Sequence, residues 1–172
     1  MTLRTLRSAF ERLMEWIVIV LMVALSAEVT LGIVYRTLGR SLVWYDEVAA
    51  ILLAWLTFYG SALAALKRAH IGFPGLVNSL PPVWRVPAVA FAEICVVAFF
   101  VLLGWMGYSI LAVLDTDYLV SLPEVRVAWT QSVIPIGSAL YVIAELLSLP
   151  SLLAAAKGRG PLASSDLAEK LH

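Results

Sequence analysis

Four long apolar runs, separated by short polar stretches, dominate the 172-residue chain. They cover about residues 13–35, 48–66, 86–114 and 127–149, and each is close to or above the roughly 20 residues that cross a bilayer as a helix. The third is the longest and is expected to tilt or to protrude from the membrane. Short connections join the four, which predicts one all-α integral membrane domain over residues 1–155, built as a compact helical bundle. The remaining residues, 156–172, are polar and rich in small side chains, and read as a mobile tail. Ahead of the first run, Leu3, Leu6, Phe10 and Leu13 recur at helical spacing, with Arg4, Arg7, Glu11 and Arg12 around the rest of the wheel. That pattern fits a short interfacial helix on the inner leaflet, or else a plain extension of the first span.

Composition agrees with the pattern. The chain is 62% hydrophobic and 14% charged, with a mean hydropathy of +0.92, well outside the range of ordinary soluble domains. Its formal net charge is zero, so no basic surface for nucleic acid is expected. The positions of the charges say more than their sum. Arg4, Arg7, Arg12, Lys67, Arg68, Arg85, Lys157, Arg159 and Lys170 fall on one side of the four spans, and only Arg36, Arg40 and Arg126 on the other. The positive-inside rule therefore predicts cytoplasmic N- and C-termini. Ala24-Leu25-Ser26 has the composition of a signal-peptide cleavage site, but the apolar run resumes after Glu28 and favours an uncleaved anchor. Trp16, Trp44, Tyr45, Trp84 and Trp129 lie near span ends, where amphipathic rings anchor at the headgroups.

Little of this resembles an enzyme. The one cysteine, Cys95, cannot form an internal disulfide or a redox pair and reads as a small buried hydrophobe. The only histidines are His70 and the terminal His172, so no span offers an axial haem ligand or a Ser–His pair. Neither a phosphate-binding loop nor a metal-ligand cluster occurs. No catalytic group, cofactor or metal is therefore expected.

Carboxylates inside apolar spans are the remaining candidates for function. Glu28 lies within the first span, where it would either couple proton movement, as in a small homo-oligomeric exporter, or pair with a neighbouring helix or subunit. Glu93 and Glu145 fall toward the cytoplasmic ends of the third and fourth spans. There they are expected to contact Lys67, Arg68, His70 or Arg85 and fasten the inner helix ends, or else to snorkel independently. The second span is two-faced. Asp46, Ala50, Thr57, Gly60 and Ala64 share one side, flanked by Glu47, Ala54, Ser61 and Ala65. Val48, Leu52, Trp55, Leu56, Tyr59, Leu63 and Leu66 lie opposite. Small faces let helix backbones approach, so the small side is expected to be buried in protein, with the bulky side toward lipid or a larger partner. At the start of this span, Asp46 is placed to cap the first turn. Trp44 and Tyr45 would anchor it, and Glu47 would make a packing contact with another helix or with Arg36 or Arg40.

The order Trp44-x-Asp46-Glu47, Trp55, Gly60, His70-Ile71, Leu122-Pro123 and Ile134-Pro135-Ile136-Gly137 resembles the DctQ-type small membrane subunit of tripartite ATP-independent periplasmic (TRAP) transporters. The resemblance spans about residues 10–150 and rests on order and spacing together. Where that family usually has an acidic residue after the His-Ile pair, this chain reads Gly72-Phe73-Pro74-Gly75. The resemblance implies a helper subunit in a bacterial inner membrane. It would serve a large multi-span transport subunit that holds the substrate and coupling-ion sites. A periplasmic substrate-binding protein would deliver an organic acid to that complex. The small subunit of tricarboxylate-type tripartite transporters, also four-spanned, is the alternative of the same class. An exporter using Glu28, or a purely structural membrane protein, stands outside it.

Overall fold

The structure, a computed structural model, describes residues 3–67 and 81–156. Four helices in it are long and apolar enough to cross a membrane. In chain order these are α1 (Leu3–Thr37), α2 (Tyr45–Lys67), α3 (Pro82–Leu114) and, after the short α4 (Val127–Gln131), α5 (Val133–Ala156). Alternating direction puts the first and last described residues at one end of the molecule, the terminal end. The connections after α1 and α3 lie at the other, the hairpin end.

Of the two readings of the N-terminal segment, the extension of the first span is the one seen: α1 runs unbroken for 35 residues. That is about 52 Å at ~1.5 Å per residue, well beyond the ~30 Å hydrocarbon thickness. Nothing between Phe10 and Trp16 interrupts it, because the sequence there holds neither Gly nor Pro. At its far end the helix stops in a Schellman motif. Gly39, at φ 73°, lets Arg40 N–H reach Tyr35 O at 3.0 Å and Gly39 N–H reach Arg36 O at 3.1 Å.

The fourth span is broken at Ser132, between α4 and α5. Pro135 has no N–H to offer the carbonyl of Gln131, so the α-helical ladder fails there and resumes with Ile136 N–H on Ser132 O at 3.2 Å. The Ile134-Pro135-Ile136-Gly137 stretch thus follows a gap in the hydrogen-bond ladder and carries a contact point at Gly137.

The spans do not close into a compact bundle. Extensive packing joins α1 to α2, α2 to α5 and α5 to α3; no other pair of spans is comparably packed. The result is an open series, α1–α2–α5–α3, with α1 and α3 at its edges. The core sits on α2 and α5: Ala62, Ala65, Leu66, Tyr141 and Ala144 are buried, with Phe10, Val96, Phe100, Leu140 and Leu147 packed around them. The Phe100 and Tyr141 rings stack at 3.6 Å between centroids.

Glycines set the close approaches. A Cβ at Gly137 would lie 2.7 Å from Phe58 Cβ, and one at Gly107 would lie 2.6 Å from Ile134 Cγ2. Edge helix α3 is apolar on every side, with Phe91, Ile94, Phe99, Leu102, Trp105 and Tyr108 exposed. Cys95 is exposed there too, contrary to the buried position expected of it; an edge helix in a bilayer can turn apolar side chains outward as readily as inward.

Candidate functional site

The structure reverses the expected faces of α2. Its bulky side is the internal one. Leu66 is fully buried, Trp55 donates its indole N–H to Thr130 O of α4 at 2.9 Å, and Leu52, Leu56, Tyr59 and Leu63 are half-buried. Most of its small side faces out of the chain: Asp46, Ala50 and Thr57 are exposed, and a Cβ on Gly60 would meet nothing within 4 Å, although Ala65 on its flank is buried in the core. Ala64, Ser61 and Ala54 are half-buried at the margins. The reason is numerical. With α1 and α5 both packed on α2, a helix of small residues alone could not fill the space between them, and large side chains do so.

At the hairpin end, α2 begins two residues earlier than a capping role for Asp46 requires. The carbonyl of Trp44 accepts the first helical bond, from Val48 N–H at 3.0 Å, so Asp46 sits inside the first turn. It is exposed there, where the helix dipole still favours its charge.

Glu47 is the organising residue. Its partner is neither another helix nor Arg36 or Arg40, but the connection after α3. The carboxylate accepts Ser121 N–H at 2.9 Å, Val120 N–H at 3.3 Å and the Ser121 hydroxyl. That connection is itself ordered. Tyr118 and Arg126 form an antiparallel bridge, and Leu119 N–H bonds Val125 O at 3.0 Å. A turn over Leu122–Val125, with Pro123 at its second position, closes through Val125 N–H on Leu122 O at 2.9 Å. Beside it Arg126 donates to Asp115 at 3.0 Å, and this bond with Asp115 pushes the Arg126 guanidinium up from its ordinary value. Leu119 is buried under the hairpin, while Val120 at the tip is 95% exposed.

At the terminal end, Lys67 pairs with a different acid from those expected. Lys67 pairs with Glu15 of α1, and Arg7 donates to Leu66 O at 2.8 Å, satisfying a carbonyl in the last turn of α2. These contacts bind α2 to α1, on the flank away from Glu93 and Glu145. Tyr141 donates to Glu145 at 3.4 Å, one turn along the same helix, so this bond does not itself join two helices. Glu93 of α3 is near enough to act electrostatically on the same hydroxyl. Arg85 is half-buried in the first turn of α3, and Arg68 and His70 lie outside the described residues.

Glu28 is on α1, one turn before Gly32, against which the Tyr45 ring packs. Its Oε1 is shut from solvent and has no hydrogen-bond partner among the described residues. Pairing of that oxygen with a neighbouring helix of this chain is therefore not made. A groove along α1 is lined by Met22, Val23, Ser26, Ala27, Thr30 and Leu31, all from one helix, and so cannot surround a substrate.

Residues 25–155 match the family described as tripartite ATP-independent periplasmic transporters, DctQ component. The chain belongs to the DctQ family. It is also similar to the sialic acid TRAP transporter small permease protein SiaQ of Vibrio cholerae serotype O1. The two are 26% identical over 154 residues, which is 89% of this chain and 88% of that protein. The chain is thus a small membrane subunit of a TRAP transporter, and a multi-pass membrane protein.

Within that identity, the DctQ features quoted from the sequence acquire physical roles. Trp55 ties α2 to α4, Glu47 ties α2 to the hairpin, Pro123 shapes the hairpin turn, and Gly137 seats Phe58. Ser121, Phe58, Gly107 and Gly104, whose Cβ would lie 3.2 Å from Ser138 Cβ, were not anticipated. The glycines had a visible signal, since Gly104 and Gly107 fall three residues apart on one face of a long apolar helix.

Proposed function

We propose that this DctQ chain is a non-catalytic scaffold in a bacterial inner membrane, binding a large multi-span transport subunit and helping to dock a periplasmic substrate-binding protein. The observation that carries this reading is the open series of spans. A chain whose four helices enclose no central space has nowhere to carry a solute, and it has broad surfaces to offer. Both termini would be cytoplasmic, as the basic residues indicate, which places the hairpin end in the periplasm. The outward small face of α2, from Ala50 through Thr57 to Gly60, is the surface proposed for the large subunit, because a flat face admits a close helix. Glu28 is half-buried overall, and the exposed part of its side chain is proposed to find its partner in that subunit. Membrane lipids would cover the bulky outer faces of α1 and α3. The substrate is proposed to be an organic acid, sialic acid being what the relative's name specifies.

Proteoliposomes test the division of labour. With an imposed sodium or proton gradient and a panel of organic acids that includes sialic acid, this chain alone should accumulate none of them. Adding the large subunit and the binding protein should start uptake. Uptake by this chain alone, abolished by Glu28→Gln, would instead make it an exporter-type carrier.

A further inference from the structure

We propose that Glu47 is a positioning residue for docking: it latches the α3–α4 hairpin across the start of α2 so that Val120 stands as a fixed apolar knob for the substrate-binding protein. The inference rests on the docking role proposed above and names the residues that perform it.

Three donors converge on one carboxylate. Val120 N–H and Ser121 N–H approach at 3.3 and 2.9 Å, and the Ser121 hydroxyl completes the set. Hydrogen bonds to an ionised acceptor are about twice as strong as neutral ones. The latch joins residues more than 70 positions apart in sequence, so it fixes where the hairpin lies rather than how it is internally folded. The hairpin's own shape is set by the Tyr118–Arg126 bridge and the Leu122–Val125 turn. Directly beside the latch, Val120 is 95% exposed while its neighbour Leu119 is 7% exposed. An aliphatic side chain held in the open by its own backbone contacts loses little further freedom when a partner covers it, which lowers the cost of binding.

The occupant is set by chemistry and position. At this end of the molecule Tyr118 is half exposed, and the exposed acids Asp46, Asp115, Asp117 and Glu124 outnumber the exposed Arg36, Arg40 and Arg126, of which Arg126 is already bonded to Asp115. A soluble protein presenting an apolar socket rimmed by Lys or Arg complements that surface, and its encounter should weaken as salt rises. The binding protein is the soluble component that meets this end of the complex.

The experiment uses the assembled transporter in lipid nanodiscs, with its binding protein. Glu47→Gln keeps the shape of the side chain but removes the charge and turns an amide NH2 toward backbone donors. It should speed hydrogen exchange at Val120 and Ser121 by at least about tenfold and weaken binding-protein capture by about tenfold, with the large subunit still bound. Ser121→Ala should do the same to a smaller degree. Val120→Asp should abolish capture while leaving exchange at Ser121 slow.

A spin label at Val120→Cys, on a Cys95→Ser background, should be reached by an aqueous nickel chelate and shielded when the binding protein is added. If Val120→Asp abolishes capture but Glu47→Gln does not, the latch is overturned and the docking role stands. If neither variant affects capture, the docking role itself falls. If the label is reached by oxygen and not by the chelate, the tip lies in lipid and the knob is overturned.

Discussion

Gly137→Leu should largely abolish the folded subunit. A Cβ at this position already falls 2.7 Å from Phe58 Cβ and 2.8 Å from its Cδ1, and the remaining leucine atoms would reach further into the same helix. Rotating the Phe58 ring cannot relieve a clash with Cβ, since that atom moves only with the α2 backbone. The two helices would have to separate, and their contact carries most of the core: Ala62, Ala65 and Leu66 against Tyr141 and Ala144. Overpacking costs about 1–3 kcal/mol in well-packed interiors, and separating the helices also loses the contacts that hold α2 to α5. In a bilayer those contacts are the driving force, because lipid is as apolar as the side chains. Size-exclusion chromatography in detergent, with a thermal-aggregation midpoint, reads the outcome: little monodisperse protein and a midpoint lowered by many degrees. A wild-type midpoint would mean that α2 and α5 are not apposed at Gly137.

Gly60→Leu should behave in the opposite way. A Cβ at this position meets no atom of another helix within 4 Å, and leucine favours a helix over glycine by nearly 1 kcal/mol. The subunit by itself should therefore be as stable as wild type, or slightly more so. Its effect should fall on assembly, because a branched side chain in the middle of the small face would hold a second helix away. Recovery of the large subunit on the tagged variant should drop by at least about tenfold, a loss typical of a central interface position. Normal recovery would assign the small face of α2 to lipid. Taken together, the two glycines separate folding from assembly on one pair of helices.

Much of this was legible in the sequence. Hydropathy alone located all four spans, because a bilayer imposes one length and one solvent on every crossing helix. The acids at the start of α2 also marked a place of contact, although Glu47 meets the hairpin rather than a helix or Arg36 or Arg40. What the sequence could not settle was direction around each helix. In a soluble protein the apolar face points inward, but in a membrane both faces are apolar and size is the only guide. The bulky face of α2 was therefore expected toward lipid or a partner, and it lies inside, because α1 and α5 needed Leu66, Trp55 and their neighbours to fill the space between them. Partners were illegible for a related reason. Glu47 meets Ser121, and Lys67 meets Glu15 rather than the acids of α3 or α5, because those pairings depend on which spans are adjacent. The open order α1–α2–α5–α3 could not be read from four similar apolar runs.

Native mass spectrometry of the affinity-purified chain, expressed together with the large subunit and released from detergent, tests the assembly most directly. The expected spectrum contains a complex of this chain with the large multi-span subunit, stable to delipidation and lost in Gly60→Leu. A spectrum holding only this chain, as monomer or homo-oligomer, while the large subunit is recovered intact elsewhere, would contradict the scaffold role.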